Sequence, residues 1–215
     1  YREALAEPDV VGLAVGTRPD CLEDGVLDLL AGYRDEGREV WIELGLQSAF
    51  DETLRRVRRG HGFAEYRAAA HAIHSRGLAL CTHLIVGLPG ESPWHARTSL
   101  ERVLELGVDG LKVHPLHVVR GTRLAVEWRR GAYRPLTLEE YVEAACDIVE
   151  ATPPEVEFHR LTGTAPRSVL LAPEWCAWKW RVLNAIEAEL ARRESVGLAG
   201  QAAAAGAVGR TPLSR

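Results

Sequence analysis

The residues best suited to bind a small polar ligand lie at or shortly after the ends of apolar runs: Gln47, Arg59, His83, His114 and His117. A neutral amide can hydrogen-bond hydroxyl groups such as a ribose diol, and a guanidinium can hold a carboxylate or a phosphate. Imidazole can hydrogen-bond, transfer protons or bind a metal. If the apolar runs are parallel strands, their carboxyl ends meet at one rim, and we expect these five side chains to converge there.

Some of these residues also have an ordinary structural explanation. Gln47 fits equally well as a helix-capping side chain. The basic run from Arg55 to Arg59 is typical of a solvated helix face, and it also suits contact with a carboxylate or with RNA phosphates. The residue types alone leave both explanations open.

Histidines near strand ends raise the alternative of a metal site. His114 and His117 flank Pro115-Leu116, and His159 precedes Arg160 at another strand end. Three imidazoles on a barrel rim could bind zinc, as in a metal hydrolase. However, no acidic residue accompanies them on these strands, and a strand directs residues i and i+3 to opposite faces. Hydrogen bonding or general acid–base chemistry at His114 and His117 is therefore preferred.

The four cysteines, Cys21, Cys81, Cys146 and Cys176, are far apart, with no C-x-x-C pair and no close-spaced triplet. Cys81 and Cys146 are expected to pack as small hydrophobic residues. Cys176 stands at a predicted helix start with Lys179 one turn further on, which would lower its thiol pKa and make it a catalytic candidate. A plain core cysteine among three tryptophans is the alternative.

The elements that must position these residues alternate between strand and helix. Apolar runs of strand length begin near residues 10, 40, 78, 110 and 156, and each is followed by a helical pattern. This alternation predicts βαβ units around a parallel sheet. A barrel is favoured over a doubly wound sheet because polar residues collect at the strand ends and no G-x-G-x-x-G or Walker loop occurs.

The strand from Leu78 to Val86 is the centre of the predicted site. It ends in the turn Gly87-Leu88-Pro89-Gly90-Glu91, and a helix follows. A buried strand that delivers its carboxyl end to a glycine turn presents backbone to a ligand in many α/β proteins. Taken alone, this stretch also fits an ordinary strand-to-helix connection.

Composition describes a globular protein rather than a disordered one. The chain has 215 residues, 47% hydrophobic and 26% charged, and a formal net charge of -4. This acidic net charge predicts no general attraction to nucleic acid. Because the chain contains no run of about 20 apolar residues and no secretory signal, we expect a cytoplasmic location without membrane contact. The chain begins with Tyr1 and contains no methionine, which suggests a start within a domain.

Several of these stretches together resemble the radical S-adenosylmethionine (SAM) enzymes. The likeness is to the branch related to the elongator catalytic subunit and the oxygen-independent coproporphyrinogen oxidase. Later motifs narrow it to the YhcC-like bacterial family. The stretches that carry the resemblance are Gly16 to Asp20, Leu44 to Ser48, Asp51 to His61, His83 to Glu91, Val113 to His117, His159-Arg160 and Ala172 to Cys176.

The resemblance implies an α/β fold, a partial (βα)6 barrel that here lacks the first two βα units and carries a C-terminal helical extension. It further implies residues 1–151 as barrel core, 152–196 as the extension and 197–215 as a disordered tail. In that family a reduced 4Fe-4S cluster cleaves SAM to a 5′-deoxyadenosyl radical, which abstracts hydrogen from the substrate.

Family roles transfer to individual positions of this chain. By resemblance, Gln47 is the ribose ligand and Arg59 meets the SAM carboxylate. The strand that ends at Gly87 packs on adenine, and His83 stands where relatives carry an acidic ribose partner. His159 and Arg160 are expected to contact substrate.

The family's C-x-x-x-C-x-x-C motif is absent from this chain. The cluster ligands are therefore expected upstream of Tyr1, and the chain is expected to be a truncated fragment that is inactive alone. A cluster-free module that binds SAM or RNA is the alternative. Because related enzymes modify tRNA, wobble-uridine modification is a candidate reaction and tRNA a candidate partner.

Overall fold

A computed structural model describes the backbone of residues 1–208 and the side chains of residues 1–195. Its strands are β1 (Gly12–Thr17), β2 (Glu39–Gln47), β3 (Ala79–Val86), β4 (Gly110–Pro115), β5 (Val118–Val119), β6 (Glu157–Arg160) and β7 (Leu170–Ala172). Its α-helices are α1 (Arg2–Leu5), α2 (Asp24–Asp35), α3 (Asp51–Arg56), α4 (Phe63–His74), α5 (Pro93–Leu104), α6 (Arg123–Arg129), α7 (Leu138–Ala151) and α8 (Lys179–Val208).

The main sheet has five strands, all parallel, in the order β1-β2-β3-β4-β6. The order of these five strands in the sheet is the same as their order in the sequence, so the strand order does not reverse. A doubly wound sheet would reverse its strand order at a switch point, whereas a barrel does not. The predicted α/β fold with a parallel sheet is confirmed. Strands β5 and β7 form a separate antiparallel pair.

Alternation along β2 divides the sheet into two different faces. Val40, Ile42 and Leu44 are buried in the core with residues of the surrounding helices. Trp41 and Glu43, between them, point the other way, because successive strand side chains alternate. We call this second side the inner face of the sheet. A core on the helix side leaves the inner face free to carry polar groups.

Helix α4 is capped by a residue from elsewhere in the chain. Asp51, the first residue of α3, accepts a hydrogen bond through its Oδ1 from Phe63 N at 2.8 Å, at the start of α4. The residue preceding α4 is Gly62, which has no side chain with which to cap. By contrast, α7 is capped by its own N-cap residue, Thr137, whose side chain accepts a hydrogen bond from Glu140 N.

The strand predicted to begin near residue 110 is short in the structure. Strand β4 ends at Pro115, and Val118–Val119 pairs with β7 instead. The predicted helix from Trp175 begins later, since Glu174–Ala177 is a 3-10 turn. Trp175 holds this turn, because its Nε1 donates to Leu136 O at 3.1 Å and its ring stacks on Tyr141.

The C-terminal extension packs on the barrel core rather than apart from it. Trp175, Cys176, Val182 and Ile186 belong to the same buried cluster as the strands. The tail predicted at 197–215 overlaps α8, which extends to Val208, since alanine favours helix. Residues 209–215 lie outside the described residues. Among the described helices, none has the length and apolar character needed to cross a bilayer.

Candidate functional site

The end of β2 brings together two of the predicted ligand-binding residues. A bulge between Gly45 and Gln47 interrupts the β2–β3 register, and Gln47 has a positive φ of 80°. Arg59 Nε donates to Gly45 O at 3.0 Å. A Cβ on Gly45 would lie 2.5 Å from Arg59 Nη2 and 2.7 Å from Gln47 Nε2. Glycine at position 45 therefore leaves room for the amide of Gln47 and the guanidinium of Arg59 on either side of it.

Arg59 is half-buried and has no carboxylate partner among the described residues. Burial lowers the pKa of its guanidinium, and the positive charge of Arg18 adds to that effect. The nearby carboxylate of Asp20 is paired with Arg18 instead. A desolvated cation that is bonded only to a carbonyl is well placed to receive an anionic ligand.

A cavity of about 430 Å³ opens beside Gln47, within the size range of small-ligand sites. Its apolar lining comes from the ends of β3 and β4, the glycine turn and α6. The lining residues include Ile85, Leu88, Pro89, Leu116 and Leu124, with Gln47, Arg56, Arg58, Arg123 and Glu127 as polar members.

Gly87 shapes this cavity through its backbone. Its φ of 91° is favourable only for glycine, and its carbonyl accepts a hydrogen bond from Tyr133 Oη at 2.9 Å. The following residues, Leu88 and Pro89, thereby line the cavity. An apolar wall with a few polar groups at its rim suits a flat heteroaromatic ring.

Below this cavity, one row of residues crosses four strands on the inner face. Gly45, His83, Lys112 and Arg160 are successive Cα partners in the parallel ladder. Glu43 contacts two of them: its carboxylate is ion-paired with Lys112, and it lies 3.0 Å from His83 Nε2. We call these five residues the inner-face row.

His83 is not among the residues that line the cavity, and its ribose role stays a prediction. It lies deeper, and its imidazole is held by Glu43. The prediction followed the motif position, but strand alternation and the cross-strand carboxylate decide where the ring lies. Lys112 was missed as a candidate. Its detectable signal was a lone lysine within an apolar strand.

Charges on the inner face favour neutral imidazoles. Burial lowers the pKa of His83, outweighing the opposite effect of Glu43. Burial also lowers the pKa of His114 to about 4, and His83 and Arg160 add to the shift. Glu43 remains ionised: burial alone would raise its pKa, but Lys112 and His83 together lower it.

His114 and His117 lie closer together than strand geometry predicted. Strand β4 ends at Pro115, so the rule that i and i+3 face opposite ways does not extend to His117. Both rings pack against Gly163, and His117 Nε2 lies 3.0 Å from Gly163 O.

His159 lies at the opposite end of the strands from this rim. Its ring packs on Trp41, near the start of β2, at 4.4 Å between centroids. The alternative of a three-histidine metal site therefore lacks its geometric basis, because His159 lies away from His114 and His117. Within residues 1–195, no group of three or more His, Cys, Asp or Glu is arranged to hold a metal ion.

Cys176 is not an activated thiol. It is fully buried in the core, and burial raises the pKa of its thiol to about 12. Its 3-10 turn supplies no long helix dipole to oppose this effect. Cys81 and Cys146 are buried as predicted. Cys21, in contrast, is exposed.

Comparison with known families matches both parts of this architecture. The family model described as the Radical SAM superfamily matches residues 2–103, and the one described as the Radical_SAM C-terminal domain matches residues 108–192. A parallel barrel sheet with a packed C-terminal extension and these two matches in sequence define the class. The chain belongs to the radical SAM superfamily.

Within that superfamily, the chain is similar to protein YhcC of Escherichia coli (strain K12). The two are 51% identical over 180 residues, which cover 84% of this chain and 58% of that protein. The chain thus spans about three-fifths of the length of this curated relative. The predicted resemblance is confirmed both for the radical SAM superfamily and for the YhcC-like family within it.

More distant similarity reaches the elongator branch. The tRNA uridine(34) acetyltransferase of Methanocaldococcus infernus is 28% identical over 75% of this chain and 30% of that protein. The solved structure of Methanocaldococcus infernus Elp3 with an N-terminal deletion has a TM-score of 0.70 at 27% identity, covering 83% of this chain and 42% of that one.

The radical SAM superfamily implies two bound groups, SAM and a 4Fe-4S cluster, and the residues of this chain fit only SAM. Gln47 and the apolar cavity suit the adenosyl part of SAM. Arg59 lines a neighbouring depression that shares Arg58 with this cavity, and without a carboxylate partner among the described residues it suits the SAM carboxylate. The cysteines do not suit a 4Fe-4S cluster. Three are buried, and no C-x-x-x-C-x-x-C motif occurs in the sequence.

Proposed function

We propose that this chain forms the adenine and carboxylate half of a SAM site. The observation that carries the proposal is Arg59, a half-buried guanidinium without a carboxylate partner in the described structure. Removing a cation from water without neutralising it is costly unless a ligand supplies the opposite charge. The SAM carboxylate is an anion of the right kind.

The other residues act by positioning. Gln47, at the bulge of β2, presents an amide that can hydrogen-bond the ribose hydroxyls. Ile85 and Leu88 line the cavity and would exclude water from the faces of adenine. The backbone at Gly87, held by Tyr133, keeps the turn in place.

Calorimetric titration of this chain with SAM tests the proposal. We expect saturable binding that weakens about tenfold or more in Arg59→Gln, because a charge-assisted hydrogen bond is lost. Arg67→Gln, on the exposed side of α4, is the matched control and should bind as the parent does. Absence of SAM binding, or equal affinity in both variants, would overturn the proposal.

For the complete enzyme, we propose cluster ligands that lie outside this chain. When bound, the 4Fe-4S cluster of this superfamily supplies the electron that splits SAM into methionine and a 5′-deoxyadenosyl radical. This chain would then hold the adenosyl part of SAM and shape the space that admits the substrate. A cluster-free SAM-binding module is the alternative, and SAM affinity without any cleavage by the complete protein would favour it.

We further propose tRNA as the substrate class. Relatives in the elongator branch are named for tRNA uridine(34) modification, and the rim carries the basic cluster at 55–59. Two of its members are engaged, Arg56 with Glu52 and Pro89 O, and Arg59 with Gly45 O. Arg55 and Arg58 are free of such contacts within the described residues and are exposed to solvent.

Filter binding of tRNA at several salt concentrations tests this substrate class on a complete protein. Each phosphate contact contributes about one unit to the slope of log affinity against log salt. The double variant R55Q/R58Q should bind more weakly and reduce the slope by about two units. No salt-dependent affinity, or an unchanged slope, would remove tRNA from consideration and leave the SAM proposal untouched.

A further inference from the structure

The inner-face row contains two cationic side chains, Lys112 and Arg160, and one carboxylate, Glu43. Glu43 is the carboxylate in contact with the row, and it is engaged by Lys112 and His83. Arg160, the ladder partner of Lys112, forms no ion pair with any described residue. Arg160 is exposed to solvent, and no described residue supplies a counter-ion for its guanidinium.

In the ladder, Arg160 is separated from His83 only by Lys112, and its charge contributes to lowering the pKa of His83 and of His114. His83 and His117 have hydrogen bonds through Nε2, whereas no hydrogen bond to His114 is found within the described residues. A neutral imidazole carries one N–H, so His114 can donate to a ligand.

This polar group adjoins the cavity assigned to SAM. His114 is the ladder partner of Ile85, which lines that cavity. A molecule held at Arg160 and His114 would therefore lie next to the proposed adenosyl group. The segment beyond Arg160 also contains Thr162, which is 2% exposed and whose Oγ1 has no hydrogen-bond partner.

We propose that Arg160, Lys112 and His114 bind an anionic group of the substrate, a carboxylate or a phosphate. Arg160 supplies the uncompensated charge and can bind two oxygens at once. Lys112 adds a second cation whose ammonium retains donors beyond its pair with Glu43. His114 contributes one neutral N–H. The site differs from Arg59, which lies at the end of β2.

Glu43 has a positioning role in this site. Its carboxylate neutralises the positive charge of Lys112, and its contacts with Lys112 and His83 orient both side chains. This inference rests on the proposed function, because it assumes that the substrate binds beside the cavity assigned to SAM.

Two small anions serve as probes of the site in this chain. NMR signals of the histidine rings, assigned with His114→Gln, are followed during titration with inorganic phosphate and, separately, with acetate. We expect a saturable shift of the His114 signal with at least one probe. Tighter binding of phosphate assigns the site to phosphate, and tighter binding of acetate assigns it to carboxylate.

Substitution separates the site from general anion binding. Arg160→Gln should weaken the effect on His114 about tenfold or more, and Arg160→Lys, which keeps the charge, should weaken it less. Arg67→Gln on α4 should leave it unchanged. No saturable shift with either anion, or equal midpoints in Arg160→Gln and the parent chain, would overturn the proposal.

The same samples distinguish failure of this inference from failure of the proposed function. Arg59→Gln should lose SAM affinity yet retain the anion response at His114. If SAM fails to bind while the Arg160-dependent response persists, the SAM proposal fails and the anion site stands. The reverse result removes the anion site alone.

Discussion

His114 stands on the inner face of the sheet beside another imidazole and near a guanidinium, and this location determines how the protein responds to acid. Its pKa falls from an ordinary 6.5 to about 4 in the folded protein, mainly through burial. Between these values the unfolded chain binds a proton that the folded protein does not. The stability contributed by the neutral ring is therefore complete above about pH 6.5 and is lost as the pH falls towards 4.

Replacing His114 should flatten that dependence. In His114→Gln, the loss of unfolding free energy between pH 6.5 and pH 5 should shrink by about 1 kcal/mol, allowing for partial exposure of the ring. Urea unfolding at several pH values measures this. His71→Gln, an exposed histidine on α4, is the control. An unchanged slope in His114→Gln would contradict the assigned shift.

Thiol reactivity should separate the cysteines. In the folded protein, iodoacetamide at pH 8 should modify Cys21 rapidly because it is exposed, and Cys176 only after unfolding. A thiol with a pKa of about 12 provides almost no thiolate at that pH. Mass spectrometry of peptides at successive times measures the two rates. Comparable labelling of Cys176 and Cys21 would restore the catalytic candidate.

Among the elements, α4 depends on a cap from elsewhere in the chain. Asp51 Oδ1 accepts from Phe63 N, while Gly62 N donates to Glu65 at 2.9 Å. Asp51→Ala should destabilise the protein by about 1 kcal/mol, a typical cost of losing a cap. Thermal unfolding measures the loss. Asp51→Asn, which keeps an acceptor, should retain most of the stability.

Strand β1 forms one edge of the main sheet in the described structure, since β2 is its partner. Exposed edge strands pair with other molecules and promote aggregation. We therefore expect this chain alone to associate or aggregate. Light scattering against concentration measures this tendency, and a monomeric, cooperatively unfolding chain would contradict it.

A charge beside this edge should oppose such association. Val11, which precedes β1, is 73% exposed, so Val11→Lys costs little burial. The variant should remain monomeric at higher concentration than the parent, because edge lysines disfavour strand pairing. Asp9→Lys, outside the strand, is the comparison. Equal association of Val11→Lys and the parent would exclude this edge as the cause.

For the whole molecule, the position of the thiols limits what this chain can hold. Three of the four cysteines are buried and none is arranged with others for a cluster. Anaerobic treatment of this chain with iron and sulfide should yield no 4Fe-4S cluster, as judged by iron content and visible absorbance. A longer protein with a C-x-x-x-C-x-x-C motif ahead of this chain should hold about four irons.

The proposed SAM site is divided between this chain and residues outside it. This chain supplies the cavity beside Gln47, the unpaired Arg59 and the inner-face row. Reductive cleavage of SAM remains a proposal for the complete protein. A four-iron cluster formed by this chain alone, or a cluster-bearing protein that fails to cleave SAM, would contradict that division.

The sequence by itself determined the alternation of the five main strands with helices, and the family. Hydrophobic periodicity and glycine stops are local properties, so they appear in one dimension, as at the strand that ends at Gly87. Motif spacing likewise identified Gln47 and Arg59 as candidates. Both side chains lie near Gly45, which agrees with those roles, and the roles stay predictions.

Tertiary structure alone decided which distant residues share a surface. The cap of α4 by Asp51 and the burial of Cys176 depend on contacts between separate elements. Register across four strands placed Lys112 and Arg160 in one row and left Arg160 without a counter-ion among the residues that the structure describes. Charge compensation depends on distance in space, and the chain sequence does not specify that distance.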